Sequence, residues 1–249
     1  MKVVLVQEAS SLDPDRNRSR LESLVPEDAE LVVLPEAFAR EFGDPGSDLT
    51  PYAEPLDGPF VTEVERVAKL RDTTVVAGMF EQTAEAPYNT VVVRGRAHLD
   101  YRKIHLYDSF GYRESDVLAA GPITPATFEL DGTTVGLMTC YDLRFPELCR
   151  RLVDAGAEVI IVPSAWVAGP RKVDHWTTLL RARAIENTAF VVGVGQPPPR
   201  YTGHSIVVGP LGDVLVEGGD EAELLTVELD LDAVAEARRT NPSLANRRM

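Results

Sequence analysis

The first place in this chain where chemistry is suggested is a thiol at the end of an apolar stretch. In VGLMTCYDLRFPE, residues 135–147, five residues of strand composition (Val135 to Thr139) run into Cys140, and Pro146 and Glu147 then open a helix. A cysteine at a strand-to-helix turn holds its sulfur at the carboxyl edge of a sheet, with flanking backbone N–H groups free to face a ligand. Two other groups occupy equivalent places. Glu36 follows the apolar run Leu31 to Leu34, and Lys103 follows a strand expected over Ala97 to Tyr101. Ligands of open α/β sheets collect beyond the carboxyl ends of the strands, so a carboxylate, an amine and a thiol can meet in one crevice. The set suits nucleophilic catalysis, because a thiol of ordinary pKa ~8.5 is only a few per cent thiolate at neutral pH and needs a base or cation beside it. Taken singly, each group has a plainer reading: Cys140 as a small core residue, Glu36 as an exposed loop carboxylate, Lys103 as part of the solvated charged stretch from Asp100.

Competing constellations are weaker. There is no G-x-S-x-G elbow, and no H-E-x-x-H or other helical ligand spacing among His98, His105, His175 and His204. Gly193-Val194-Gly195 runs into Gln196-Pro197-Pro198, which ends any dinucleotide fingerprint. Cys140 and Cys149 are the only cysteines and form no C-x-x-C pair, so neither a zinc ribbon nor a disulfide framework can be built. Reduced thiols fit the cytoplasm, and no metal or cofactor is expected. A formal charge of −14 without a compensating run of Lys and Arg argues against nucleic acid as a partner. No apolar run approaches the ~18 residues needed to span a bilayer, so a membrane partner is not expected either.

The elements that must position these groups follow from periodicity. Strands are expected over Lys2 to Glu8, Leu31 to Leu34, Thr74 to Phe80, Asn89 to Arg94, Ala97 to Tyr101, Thr127 to Leu130, Thr133 to Thr139, Glu158 to Val162, Phe190 to Val194 and Leu224 to Leu229. Helices are expected over Arg16 to Val25, Pro59 to Arg71, Pro146 to Asp154, His175 to Asn187 and Asp232 to Arg239, and a hairpin over Ser205 to Val216. A long loop covers residues 43–59, which are rich in Gly, Pro and Asp. Continuous apolar runs such as Leu31 to Leu34 imply strands buried on both faces. The mixture of βαβ units and hairpins implies a mixed sheet in a single α/β domain covering 1–249.

With Glu36, Lys103 and Cys140 in view, the chain resembles the nitrilase superfamily of carbon–nitrogen hydrolases. The matching pieces are LPEAF at 34–38, YRKIHLYD at 101–108, GYRESDVLAAG at 111–121, CYDLRFPEL at 140–148, PSAW at 163–166, HWTTLLRARAIENT at 175–188 and GHS at 203–205. The resemblance implies a four-layer α-β-β-α sandwich with two mixed sheets, commonly paired through its helices into a homodimer or larger homo-oligomer. It also implies roles: Cys140 as nucleophile, Glu36 as general base, Lys103 as oxyanion stabiliser helped by the backbone N–H of Tyr141, and Glu114 as a second carboxylate.

Tyr141-Asp142 after the thiol, where nitrile-cleaving members tend to carry Trp-Glu, is most similar to the amidases related to ω-amidase and deaminated-glutathione amidase. These act on small amides that bear a carboxylate, and a small-molecule amide is the expected partner. The segment VAGPRKVD at 167–174 departs from that pattern. Trp166, Arg171, Lys172 and His175, with Arg113, are pocket candidates, and Arg171, Lys172 and Arg113 can supply positive charge for an acidic substrate. Asp142, Arg144 and Glu147 read as structural, fixing the turn by local ion pairs. Two other activities are compatible with these residues: hydrolysis of an N-carbamoyl amine by the same triad, and a catalytically idle scaffold or binding protein.

Overall fold

The computed structural model describes residues 1–248. Its first half builds five strands of a six-stranded sheet and two helices. Strand β1 (Lys2–Gln7) leads into helix α1 (Pro14–Leu24), then β2 (Leu31–Val33), α2 (Pro59–Leu70) and β3 (Thr74–Glu81). Antiparallel strands β4 (Tyr88–Arg94) and β5 (Leu99–Arg102) extend that sheet. A two-residue ladder of β6 (Asp108–Ser109) and β7 (Tyr112–Arg113) precedes a 3₁₀ turn, Glu114–Asp116.

The second sheet begins with β8 (Ala126–Leu130) and β9 (Thr133–Leu137). After a 3₁₀ turn, Cys140–Arg144, come α3 (Pro146–Asp154), β10 (Val159–Ser164), α4 (Lys172–Asn187), β11 (Phe190–Gly195), β12 (Ile206–Val208) and β13 (Val214–Glu217). Strand β14 (Glu223–Glu228) returns to the first sheet, and α5 (Asp232–Thr240) follows. The strand orders are β14-β1-β2-β3-β4-β5 and β13-β12-β11-β10-β9-β8, with parallel pairs at the centre of each sheet and antiparallel pairs at the edges.

Side-chain parity sets the layers. Along the first sheet, Val4, Val6, Val32, Val75 and Val92 pack with Leu21 of α1 and Phe60 and Val64 of α2. Their neighbours Val3, Leu5, Leu31, Val33, Val76, Val91 and Val93 join the cluster holding the second sheet, α3 and α4. Each central strand is therefore apolar on both faces, which explains runs without polar alternation. The result is the α-β-β-α sandwich.

Boundaries shift in two places that matter. Strand β9 ends at Leu137, and the thiol opens a 3₁₀ turn before α3. Helix α4 begins at Lys172, three residues ahead of the expected start, which turns part of the unusual segment into its first turn.

Candidate active site

Glu36, Lys103, Glu114 and Cys140 line one cavity of about 670 Å³. Glu36 arrives from the end of β2, Lys103 from the residue after β5, and Glu114 from the turn after the β6–β7 ladder. Lys103 and both carboxylates are buried. The Lys103 Nζ donates to Glu36 Oε1 at 2.8 Å and to Glu114 Oε2 at 2.8 Å. A longer contact runs from Nζ to Glu114 Oε1 at 3.2 Å, and of the ammonium's three N–H donors it is this weakly engaged one that a ligand can take over. Burial alone would lower the Lys103 pKa, but Glu114 and Glu36 outweigh it and hold the amine well above the usual lysine range.

Each carboxylate is further fixed. Glu36 Oε2 accepts the N–H of Ala165, just past β10, at 2.7 Å, and its carbonyl accepts Gln196 Nε2 at 2.9 Å. Glu114 Oε2 accepts the N–H of Tyr107 at 2.6 Å. Asn89, at the start of β4, donates from Nδ2 to Glu36 Oε1 at 2.7 Å and to Glu114 Oε1 at 3.0 Å.

Cys140 is buried with φ of 47°, a left-handed conformation that non-glycine residues seldom adopt. Asp142, wholly buried, holds this turn in place. Its Oδ2 accepts the N–H of Thr139 at 2.9 Å and the Tyr101 hydroxyl at 2.6 Å, while Oδ1 accepts the N–H of His105 at 3.0 Å. The imidazole of His105 lies 2.7 Å from the same oxygen and stacks on Phe145 at 3.7 Å. One carboxylate thus ties the thiol's turn to the strand that delivers Lys103. Burial pushes the Cys140 thiol up, and the Glu36 charge pushes it further, against Lys103 and the Ser164 hydroxyl, which pull it down. The resting sulfur keeps its proton, beside a base. The N–H of Tyr141 has no protein acceptor among the described residues and stays available to a ligand.

The predicted pocket residues separate. Trp166 and Lys172 line the cavity, as do Val167 to Pro170 of the departing segment. Arg171 is exposed and does not line it. Arg113 is also outside, exposed and paired with Asp116 at 3.3 Å, and half-buried His175 sits on α4 away from the wall. No ion pair joins Asp142, Arg144 and Glu147 to one another among the described residues: Asp142 is held by hydrogen bonds and by His105, Glu147 is exposed, and Arg144 faces the cavity.

Arg144 stacks over Trp166 at 4.8 Å, and its Nε and Nη2 are buried without a protein partner. The Lys172 Nζ lies 3.1 Å from the Tyr107 hydroxyl and 4.2 Å from the centre of the Phe110 ring, again with no carboxylate beside it among the described residues. Arg200, a fourth cation on the wall besides Lys103, Arg144 and Lys172, is already paired with Glu41 at 3.0 Å. Sequence reasoning missed Asn89 and gave Arg144 a structural role in place of its position on the cavity wall. The signal for Asn89 is a lone amide two residues before Val91, on the strand face that meets the other sheet.

Fold and site together define an α-β-β-α sandwich whose cavity gathers a thiol, a lysine and two carboxylates. The family model for carbon-nitrogen hydrolases matches residues 2–239. The chain belongs to this family of carbon–nitrogen hydrolases, within the nitrilase superfamily. It is 38% identical to the deaminated glutathione amidase of Escherichia coli, over 89% of this chain and 86% of that one. It is 33% identical to the 2-oxoglutaramate amidase of Bacillus subtilis, over 92% and 90% of the two chains. The crystal structure of a CN-hydrolase superfamily protein from Xanthomonas campestris superposes with a TM-score of 0.90 at 28% identity, covering 100% of this chain and 97% of that one.

Proposed function

We propose that the protein cleaves the C–N bond of a small amide bearing a carboxylate at its far end, giving acid and ammonia through a Cys140 thioester. The observation that carries the substrate class is the pair Arg144 and Lys172, two cations on the cavity wall with no carboxylate partner among the described residues. A bound carboxylate supplies the missing acceptor. The two named amidases among the relatives support the same class.

The chemistry follows from the geometry. Glu36 takes the thiol proton as sulfur attacks the amide carbonyl. The oxyanion is held by the third N–H of Lys103 and the N–H of Tyr141, donors typically worth about 3 kcal/mol each. Collapse breaks the C–N bond, and Glu36 hands its proton to the departing nitrogen. Water then gives its proton to Glu36 and adds to the thioester, and the proton returns to sulfur as the acid leaves. Glu114 keeps Lys103 charged and oriented throughout.

The test is ammonia release from monoamides of dicarboxylic acids compared with neutral aliphatic amides, with intact-mass detection of an acyl group on Cys140. Arg144→Ala raises KM for the anionic amide by about tenfold or more, as expected for a lost charged hydrogen bond, and leaves a neutral amide unchanged. Arg171→Ala, outside the cavity, changes neither. Equal effects of Arg144→Ala on both substrates would refute the carboxylate site, and carbon dioxide released with the ammonia would identify an N-carbamoyl substrate. An idle scaffold would show no acyl adduct.

We also propose a homodimer formed through the helical face of the second sheet. Ile185 on α4 and Leu211 and Leu215 of the β12–β13 hairpin are 44–52% exposed there, the isoleucine lying against Gly212.

A further inference from the structure

We infer that Phe110 is a specificity-determining residue: its ring holds and covers the Lys172 ammonium at the cavity mouth, so that the amine meets the substrate's carboxylate rather than bulk water. This rests on the proposed carboxylate site of Arg144 and Lys172. Phe110 is the tip of the β6–β7 hairpin. Asp108 pairs with Arg113 and Ser109 with Tyr112, which leaves a loop of two residues, Phe110 and Gly111. Both have positive φ, 53° and 81°. A two-residue loop of that form is a type I′ turn, where Asn-Gly, Asp-Gly and Gly-Gly are the favoured pairs. Gly111 obeys the rule and Phe110 breaks it.

The position is unfavourable twice over. A large side chain is seldom held in left-handed backbone, and this one is also 69% exposed, with its apolar surface in water. Core packing does not account for it, since Phe110 belongs to none of the three apolar clusters. A residue that breaks a local rule without a gain in packing points to function.

What the ring does touch is the site. It lines the same cavity as Cys140. The Lys172 Nζ stands 4.2 Å from its centre, closer than to the rings of Tyr107, at 5.3 Å, and Trp166, at 5.8 Å. The Arg144 guanidinium lies 5.9 Å from the same ring. A cation this near an aromatic face is attracted by the ring quadrupole, more strongly where water is excluded. The Tyr107 hydroxyl takes one N–H of the amine, at 3.1 Å, so two of its three donors stay open to a carboxylate. An acidic side chain in place of Phe110 would also hold the amine, but it would neutralise the charge and repel the substrate. A ring holds the cation and leaves its charge to the ligand.

Three variants separate the possibilities. Phe110→Asn suits the turn and removes the ring, Phe110→Leu keeps apolar bulk without the aromatic face, and Phe110→Tyr keeps the face. The first readout is kcat/KM for a monoamide of a dicarboxylic acid divided by kcat/KM for a neutral aliphatic amide. It falls roughly fivefold in Phe110→Asn and Phe110→Leu, as expected for a partly desolvated cation–π contact, and keeps its wild-type value in Phe110→Tyr. The second readout needs no turnover. The chain has four lysines, and acetic anhydride labelling of Lys172, read by peptide mapping against exposed Lys69, becomes several-fold faster in Phe110→Asn and Phe110→Leu but not in Phe110→Tyr. Phe110→Asn melts no lower than the wild type, because asparagine tolerates left-handed backbone. An unchanged selectivity in Phe110→Asn, or a Phe110→Leu variant that matches the wild type, would overturn the assignment. So would a Tm lowered by more than about 4 °C in Phe110→Asn, which would make the ring a support of the fold. If no amide is turned over but Lys172 labelling follows this pattern, the amidase reading fails and the hold of Phe110 on Lys172 stands. Normal turnover with selectivity and labelling both unchanged does the reverse.

Discussion

The amine of Lys172 has an aromatic ring on one side, a phenol hydroxyl on another and Arg144 as its charged neighbour. Burial lowers its pKa below the usual lysine range, and repulsion from Arg144 lowers it further. The proposed carboxylate contact needs the protonated amine. Affinity for an anionic amide is therefore full below that lowered pKa and is lost as pH rises through it, earlier than for an ordinary lysine. A neutral amide has no such dependence. In Lys172→Arg the alkaline rise in KM disappears, since a guanidinium stays charged throughout. KM measured against pH for both substrates checks this, and an alkaline limb persisting in the arginine variant would contradict it. At this scale sequence and structure diverge most. Arg171 and Lys172 are adjacent and equally basic in the sequence, yet one faces solvent and the other the cavity, because α4 starts at Lys172. Arg144 reads in the sequence as a structural ion-pair partner rather than a pocket residue for a similar reason: only the path of the 3₁₀ turn decides whether it meets Glu147 or the pocket.

Strand ends were the legible part of the site. A doubly buried strand shows itself as an unbroken apolar run, and the polar residue that follows it marks the sheet edge, as at Glu36, whereas Lys103 follows a partly exposed edge strand of mixed composition. What such runs hide is parity. Asn89 and Thr90 look equivalent in YNTVVV, although one donates to the catalytic carboxylates and the other to Glu81. The left-handed turn at Cys140 is equally silent in the sequence. Glycine gives one more clue, at Gly78 in the middle of β3. A Cβ there would lie 2.5 Å from Ala37 N and 2.8 Å from Glu36 Cα, and its carbonyl accepts the N–H of Ala39 at 3.0 Å. The missing side chain lets the Glu36 segment lie directly on the strand. Gly78→Ala accordingly forces backbone apart. It destabilises the protein by about 1–3 kcal/mol, as for other overpacked sites, and lowers kcat much more than KM because the base is displaced. Denaturant unfolding and steady-state kinetics test this, and wild-type kcat in a folded variant would show that Glu36 does not depend on that contact.

Across the whole molecule, the two sheets divide the chemistry. Glu36, Asn89 and Lys103 belong to the first, while Cys140 and the Ala165 N–H that holds Glu36 belong to the second. A mixed α/β domain was readable from apolar runs and hairpin signals, and the layered sandwich only through the family resemblance, but which strands share a sheet was not, since β14 crosses back from the end of the chain to pair with β1. The proposed dimer is tested at the same scale. Ile185→Asp places a charge on an exposed apolar face and halves the mass seen by light scattering, and an unchanged mass would rule that face out. None of the charged groups in the cavity comes from α1 or α2, which pack on the far side of the first sheet. Because acid and thiol meet only across the seam between sheets, turnover reports on how well that seam is closed. A heated or mutated protein can keep every strand and helix and still fall silent once the layers part by an ångström or two. Catalysis is thus a finer gauge of this fold than its circular dichroism.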